Sequence, residues 1–246
     1  MKVGLILIGD ELLSGLREDK HMPHIRGILQ QRGVNLSWVR IVGDDWDLLV
    51  QTLIETFNSR DVVFSFGGIG ATPDDLTRQA AAAATQTELQ RHPEAVALLE
   101  SIFAEEAYPN RILMAELPPQ ATLIPNPINR IPGFKINDHH FVPGFPNMAW
   151  PMVEWSLDTY YSDQFDTIPV YERRWILKQV LESELIPMMN ELLKLFPDVS
   201  LSSLPSTENR KTIDFGLKGK LLHLDPASSW FEARMSNENK SIERLK

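Results

Sequence analysis

The sequence predicts an α/β protein: a domain with a mostly parallel sheet wrapped by helices, followed by a small α+β domain. Three observations carry that expectation. Apolar runs alternate with amphipathic segments along the first half of the chain, the pattern of a doubly wound sheet. The leading run is apolar on successive residues, as a strand covered on both faces requires. The texture then changes near Asp163, which divides the 246 residues into domains 1–163 and 164–246.

The run VGLILIG (3–9) reads as the first strand. MPHIRGILQQRG (22–33) has apolar residues near helical spacing and a glycine where a helix C-cap falls. VNLSWVRIVG (34–43) is the second strand. DDWDLLVQTLIETFNS (44–59) is an amphipathic helix with an acidic first turn. DVVFSF (61–66) is the third strand, and DDLTRQAAAAATQTEL (74–89) the next helix. A proline-rich stretch (110–151) holds short strand candidates ATLIPN (121–126) and HHFVPG (139–144), before a helix over about 147–161. In the second domain, residues 173–198 read as a strand leading into a helix, and VSLSSLPS (199–206) and KTIDFGLKGKLLHL (211–224) as two strands. The polar tail SNENKSIERLK (236–246) is expected to be frayed or helical at the surface.

A formal net charge of −9 and the lack of any Lys/Arg run argue against nucleic acid as a partner. The absence of cysteine excludes disulfides, thiolate metal sites and Cys nucleophiles. No stretch approaches the ~20 apolar residues of a membrane span. The N-terminal apolar run is too short for a signal peptide and lacks a cleavage pattern. A cytoplasmic protein with no membrane partner is expected.

Chemistry concentrates in GGIGATPDDL (67–76), between a strand and a helix. Gly67, Gly68 and Gly70 allow the backbone to approach a ligand closely. Their N–H groups, with the helix N-terminus behind them, suit phosphate. Thr72, Pro73 and Asp75 also fit helix-start grammar, as N-cap, N1 and N3. The competing reading is that Asp10, Asp74 and Asp75 serve chemistry. Asp10 and Asp74 would hold a divalent cation such as Mg²⁺ between protein and phosphate, with Asp75 the candidate general base.

Five segments carry a family resemblance: GDELLSG (9–15), GGIGATPDDLTRQAAAAA (67–84), NRILMAELPPQA (110–121), NPINRIPGF (126–134) and VPGFP (142–146). Together they resemble the N-terminal domain of CinA-type proteins, itself similar to the MoaB/MogA molybdopterin-binding fold. The resemblance covers roughly residues 1–165. VLESELIP (180–187) further resembles the small domain that follows in CinA. It implies a three-layer α/β domain that binds a phosphorylated small molecule. Two activities are implied: metal-dependent hydrolysis of a nucleotide pyrophosphate of the ADP-ribose or FAD type, or molybdopterin binding with adenylylation. A non-catalytic binding module is a third reading. By position, the ligand-binding set is Gly9, Glu11, Gly67, Gly68, Gly70, Thr72, Asn126, Pro132, Gly133 and Gly144, and a homo-oligomer is implied. The sequence departs from the pattern at Asn129–Arg130–Ile131, at Asn147–Met148 and at Asp19–Lys20–His21.

Weaker candidates are Asp19, His21 and His24 as metal ligands, and Arg130 as an anion contact. His139 and His140 are adjacent and would point to opposite faces of a strand. Trp150 and Trp155, with Met148 and Met152, read more simply as core than as a stacking pocket.

Overall fold

The computed structural model describes residues 1–166, 168–209 and 211–245. It divides into two compact units, Met1–Phe165 and Asp166–Lys246. Phe165 packs against the first unit's core, whereas Asp166 pairs with Lys220 at 2.6 Å. The division therefore falls two residues beyond the expected 163/164.

The first unit runs β1 (Val3–Ile8), α1 (Asp10–Leu13), α2 (His21–Gln31), β2 (Leu36–Val42), α3 (Trp46–Phe57), β3 (Val62–Phe66) and α4 (Thr77–Ala84). Then come β4 (Gln90–Arg91), α5 (Pro93–Phe103), β5 (Glu116–Leu117), β6 (Thr122–Ile124), β7 (Gly133–Ile136), β8 (His139–Val142) and α6 (Pro146–Tyr160). One six-stranded sheet has the order β2-β1-β3-β8-β7-β6. Neighbours from β2 to β8 are parallel, and β7 is antiparallel to both of its neighbours. β4 and β5 form a separate ribbon.

The unbroken apolar run of β1 is explained by three layers. Val3, Leu5 and Leu7 face one core with Ile25 and Leu29 of α2 and Met152 and Val153 of α6. Ile6 and Ile8 face the other, with Leu49 and Leu53 of α3 and Ala80 and Ala81 of α4. Burial of apolar side chains on both faces supplies most of the driving force. Asp45 caps α3, its Oδ1 accepting the Leu48 N–H at 2.8 Å.

Three local expectations are corrected here. The helix after β3 begins at Thr77, not at Thr72. Helix α5 was absent from the sequence reading, although Pro93 occupies its first turn and His92 caps it. The strand expected over 139–144 is β8, and it ends at Val142.

The second unit comprises β9 (Val170–Lys178), α7 (Glu182–Leu195), β10 (Ser200–Pro205), β11 (Thr212–Lys220), α8 (Leu221–Asn237) and β12 (Ser241–Arg244). Its sheet is antiparallel, in the order β10-β11-β9-β12. Trp175, Leu177, Ile213, Phe215 and Leu217 share a core with Leu185 and Leu192 of α7 and Phe231 and Met235 of α8. The strand expected over 211–224 stops at Lys220, because LLHL opens α8. The tail is likewise corrected: Ser241–Arg244 pairs with β9, and Ile242 packs on this core. Lys246, the last residue of the tail, lies outside the described residues. Among the described residues, no helix is long and apolar enough to cross a membrane.

Candidate functional site

Strand β3 crosses to the far side of β1 from β2, and the helices after β1 and β3 pack on opposite faces. The carboxyl ends of β1 and β3 thus flank a topological switch point, where open α/β sheets bind ligands. Ile8 leads there into Gly9, and Phe66 into Gly67 and Gly68. The last two have φ of 104° and 68°, values costly for other residues. A Cβ on Gly67 would stand 2.7 Å from the Ile8 carbonyl oxygen, and one on Gly68 would strike the Thr77 hydroxyl.

The Gly67 N–H donates to Val142 O at 3.0 Å. It is not available for an anion, contrary to the sequence expectation. The amides of Gly68 to Ala71 have no partner among the described residues, and they supply the anion-binding capacity. Thr77 closes the turn, its Oγ1 donating to Gly67 O at 3.0 Å.

Thr72 and Asp75 make half of a capping box without being at a helix start: the Asp75 carboxylate takes the Thr72 N–H, but the Asp75 N–H goes to the Thr72 backbone carbonyl and not to its side chain. Asp75 Oδ2 accepts from Thr72 N–H at 2.9 Å and from its Oγ1–H at 2.5 Å, while Asp75 N–H donates to Thr72 O at 3.0 Å. Asp75 therefore holds the loop in shape. Asp74 is exposed, and its contacts with the Thr72 hydroxyl and its own amide keep its carboxyl below the usual range.

Behind the loop stands Arg78, only 3% exposed. Its guanidinium donates to Gly70 O at 2.8 Å, Leu113 O at 2.5 Å and Glu116 O at 3.0 Å. It fastens the glycine loop to the segment carrying Met114. Burial lowers its pKa from the usual value, against the pull of Asp75 and Glu116.

These elements enclose a cavity of about 490 Å³. It gathers Gly9, Glu11, Gly67, Gly68, Gly70, Thr72, Asp74, Asp75, Asn126, Pro132 and Gly144 of the expected set. Two expected residues do not line it. Asp10 turns toward the end of β2: its Oδ1 accepts the Asp44 N–H, and its own N–H donates to Asp44 Oδ2, both at 3.1 Å. Gly133 lies inside β7, where a Cβ would strike the Phe141 carbonyl; its role is to let β7 and β8 approach.

The sequence reading missed Asp44, Arg17 and Met114, which line the cavity, as do Asn129 and Ile131, two of the positions that depart from the family pattern. Asp44 follows the carboxyl end of β2, and that position was the available signal. Partial burial raises its pKa from the usual carboxylate value, as do the nearby charges of Asp10, Glu11 and Asp74; the Asp10 N–H opposes them. Asn126, 5% exposed, accepts the Ile128 N–H through Oδ1 at 3.0 Å, and its Nδ2 has no partner.

The weaker candidates separate. His24 stacks on Trp150 at 3.6 Å. Asp19 caps the start of α2 through the His21 and Met22 amides. Arg130 donates to Ser101 Oγ at 3.0 Å and is not a cavity residue. Met152 is core, whereas Met148 lines the cavity. Among the described residues, no three His, Asp or Glu side chains gather closely enough to hold a metal ion by themselves.

Comparison with known proteins follows the same division. The family described as "Probable molybdopterin binding domain" matches residues 4–161. A CinA-like protein of Geobacter sp. (strain M21) is 40% identical over 162 residues, covering 63% of this chain and 39% of that protein. The chain thus spans well under half of that relative's length. A protein of Pyrobaculum arsenaticum is 27% identical over 227 residues, covering 89% of this chain and 83% of its own, so that likeness extends into the second unit. Among solved structures, the protein CinA of Thermoplasma acidophilum, described as of unknown function, superposes with a TM-score of 0.59 at 25% identity. That match covers 64% of this chain and 96% of that one. On the match over residues 4–161, the chain belongs to the molybdopterin-binding-domain family, and its first unit is similar to that of CinA-like proteins.

Proposed function

We propose that the first unit binds a nucleotide pyrophosphate of the ADP-ribose or FAD type and hydrolyses it with the help of a divalent cation. One observation carries the reading. Free amides of a glycine turn and four carboxylates, Glu11, Asp44, Asp74 and the loop-bracing Asp75, line the same cavity of about 490 Å³. Amides suit phosphate oxygens. Glu11 is paired with Arg17 at 3.7 Å, and the remaining acids beside the amides suit a ligand that arrives with positive charge.

The donor set fits one kind of ion site. No cluster of three ligands is present among the described residues, so a cage built from protein alone does not fit. An ion taking one or two carboxylates and completing its shell with phosphate oxygens and water does fit. Burial raises the Asp44 carboxyl first, and the charges of Asp10, Glu11 and Asp74 add to it; a cation would relieve both. Asp44 and Asp74 are the residues that would hold it, in place of the expected Asp10 and Asp74. Held there, a divalent cation would supply charge neutralisation of the phosphoanhydride and activation of water. The chain's own groups do the rest. The amides of Gly68 to Ala71 take negative charge as it develops. Asp75 and Arg78 fix the loop. The apolar side chains of Met114, Ile131 and Met148 exclude water from the part of the cavity they line.

A second reading is molybdopterin binding with nucleotidyl transfer. The family match favours it, as does the methionine-lined wall, which suits a flat ring. A release assay separates the two. Metal-stripped protein is offered ADP-ribose and FAD, with and without Mg²⁺, Mn²⁺ or Co²⁺. Hydrolysis predicts metal-dependent AMP release that falls about 100-fold in Asp74→Asn. No release with any metal rejects it in favour of pterin binding or a module that does not turn over.

A further inference from the structure

Among the described residues lining the site, one side chain is positively charged: Arg17. It shares the cavity with the carboxylates of Glu11, Asp44, Asp74 and Asp75. Arg17 lies outside the five segments that carry the family resemblance, so that resemblance assigns it no role. The chain reverses at Gly15, where φ is 75°, and the Arg17 N–H donates to Glu11 O at 3.0 Å. That bond fixes the root of the side chain beside Glu11. The guanidinium itself is loosely held. Its Nη1 stands 3.7 Å from Glu11 Oε1, beyond hydrogen-bond distance, and the side chain is 65% exposed.

Glu11 is the better anchored of the two. Its carboxylate lies against the end of β1, since a Cβ on Gly9 would strike it. It stands near enough to Asp44 for its charge to act on that carboxyl. Glu11 and Arg17 also both line an adjoining cavity of about 440 Å³, so the guanidinium has open space around it. Two contacts compete for it. An exposed ion pair is weak, because water screens it and holding it costs side-chain entropy. A phosphoanhydride offers oxygens in the planar, bidentate arrangement that a guanidinium matches. The second contact is the stronger. Once it forms, Glu11 stands unpaired beside Asp44, and a cation relieves the repulsion between them.

We propose that Arg17 is a ligand-binding residue that changes partner: it leaves Glu11 for pyrophosphate oxygens and so frees the Glu11 carboxylate to face the cation together with Asp44 and Asp74. The proposal rests on the pyrophosphate reading above and adds a coupling to it. Pyrophosphate and cation each strengthen the binding of the other through one ion pair, and the effect is reciprocal.

The test is binding to the full chain without turnover. Mn²⁺ is followed by its paramagnetic resonance signal, and the methylene analogue of ADP-ribose, whose bridge is not cleaved, by calorimetry. The Arg17 and Glu11 side chains are 65% and 39% exposed, so neither substitution should unfold the protein. In Arg17→Gln nothing competes for Glu11. Mn²⁺ alone is expected to bind about threefold more tightly, the worth of an exposed ion pair. The analogue with Mn²⁺ is expected to bind about tenfold more weakly, the worth of a charged hydrogen bond. Glu11→Gln releases Arg17 from the other side: the analogue alone should bind about threefold more tightly, and Mn²⁺ in its presence more weakly. Shifts of opposite sign are what an exchange requires, whereas a distorted cavity weakens both ligands. Mn²⁺ affinity that does not rise in Arg17→Gln, or analogue affinity that does not fall, overturns the exchange and leaves the pyrophosphate reading standing. Failure of the wild type to bind the analogue at any Mn²⁺ concentration overturns that reading and the exchange with it.

Discussion

Arg78 shows how one buried charge shapes the candidate site. It satisfies three carbonyls on two separate segments, so its loss strands acceptors as well as a cavity volume. Arg78→Met is expected to destabilise the first unit by about 3 kcal/mol. Arg78→Lys, which presents a single ammonium in place of a planar fork, should recover only part of that loss. Urea unfolding of both variants measures the difference, and equal stability of Arg78→Met and wild type would refute the bracing role. Gly68→Ala should cost stability by another route, a strained φ together with the clash on Thr77. At this scale Gly68, Gly70 and Asp74 are legible in the sequence, placed by the strand, turn and helix around them, whereas Asn126 and Gly144 enter only through the family resemblance. Arg78 and Asp44 are legible in neither way. Their importance depends on the Leu113–Glu116 carbonyls and on the Asp10 amide, which are distant in sequence. Asp10 was placed correctly at a strand end, yet its side chain answers to the neighbouring strand end.

Strand β8 carries the clearest consequence of an element's position. Lying between β3 and β7, it is buried throughout, and with it two histidines. His139 packs on Phe57 and is held down to about 4 by burial, against the charges of Asp138 and Asp61. His140 packs among Phe64, Tyr160 and Tyr161 and is held down to about 3 by burial, helped by the Lys135 charge. Both favour the neutral ring. Their contribution is therefore complete above the ordinary histidine value of 6.5, and it is lost as pH falls toward about 4 and then about 3. The loss is on the order of 3 kcal/mol for His139 and 5 kcal/mol for His140. His140→Phe should flatten the fall in stability between pH 6.5 and 3, as read by thermal melts across that range. An unchanged slope would mean that His140 does not couple protonation to folding. The alternation placing the two rings on opposite faces was readable from sequence. The full burial of β8 was not, because it follows from β7, a strand that the sequence reading did not assign. Elements that broke local rules were lost in the same way. α8 contains Pro226, and the polar β12 forms only because β9 offers it an edge.

Each unit of the molecule closes its own core. The first is built on both faces of a six-stranded sheet and the second on one face of four strands under α7 and α8. Alternation of apolar and amphipathic runs made the first architecture predictable, since a parallel sheet covered on both faces leaves few other arrangements. The second was legible only as a change of texture, because short antiparallel strands carry weaker patterns. Every residue lining the two adjoining cavities lies between Leu7 and Met148, within Met1–Phe165. Damage to the second core should therefore spare ligand binding. Leu192 of α7 is fully buried there among Trp175, Phe215 and Phe231, and Leu192→Ala removes side-chain volume that a packed core cannot readily refill. The expected cost is about 2–5 kcal/mol of the second unit's stability, visible as a lowered melting transition. The affinity for ADP-ribose at 25 °C, where the variant is still folded, should stay within about twofold of wild type, the usual scale for a change remote from a site. A loss of affinity beyond that would show that the second core shapes the cavities, and that the candidate site must be sought in the whole chain and not in its first 165 residues.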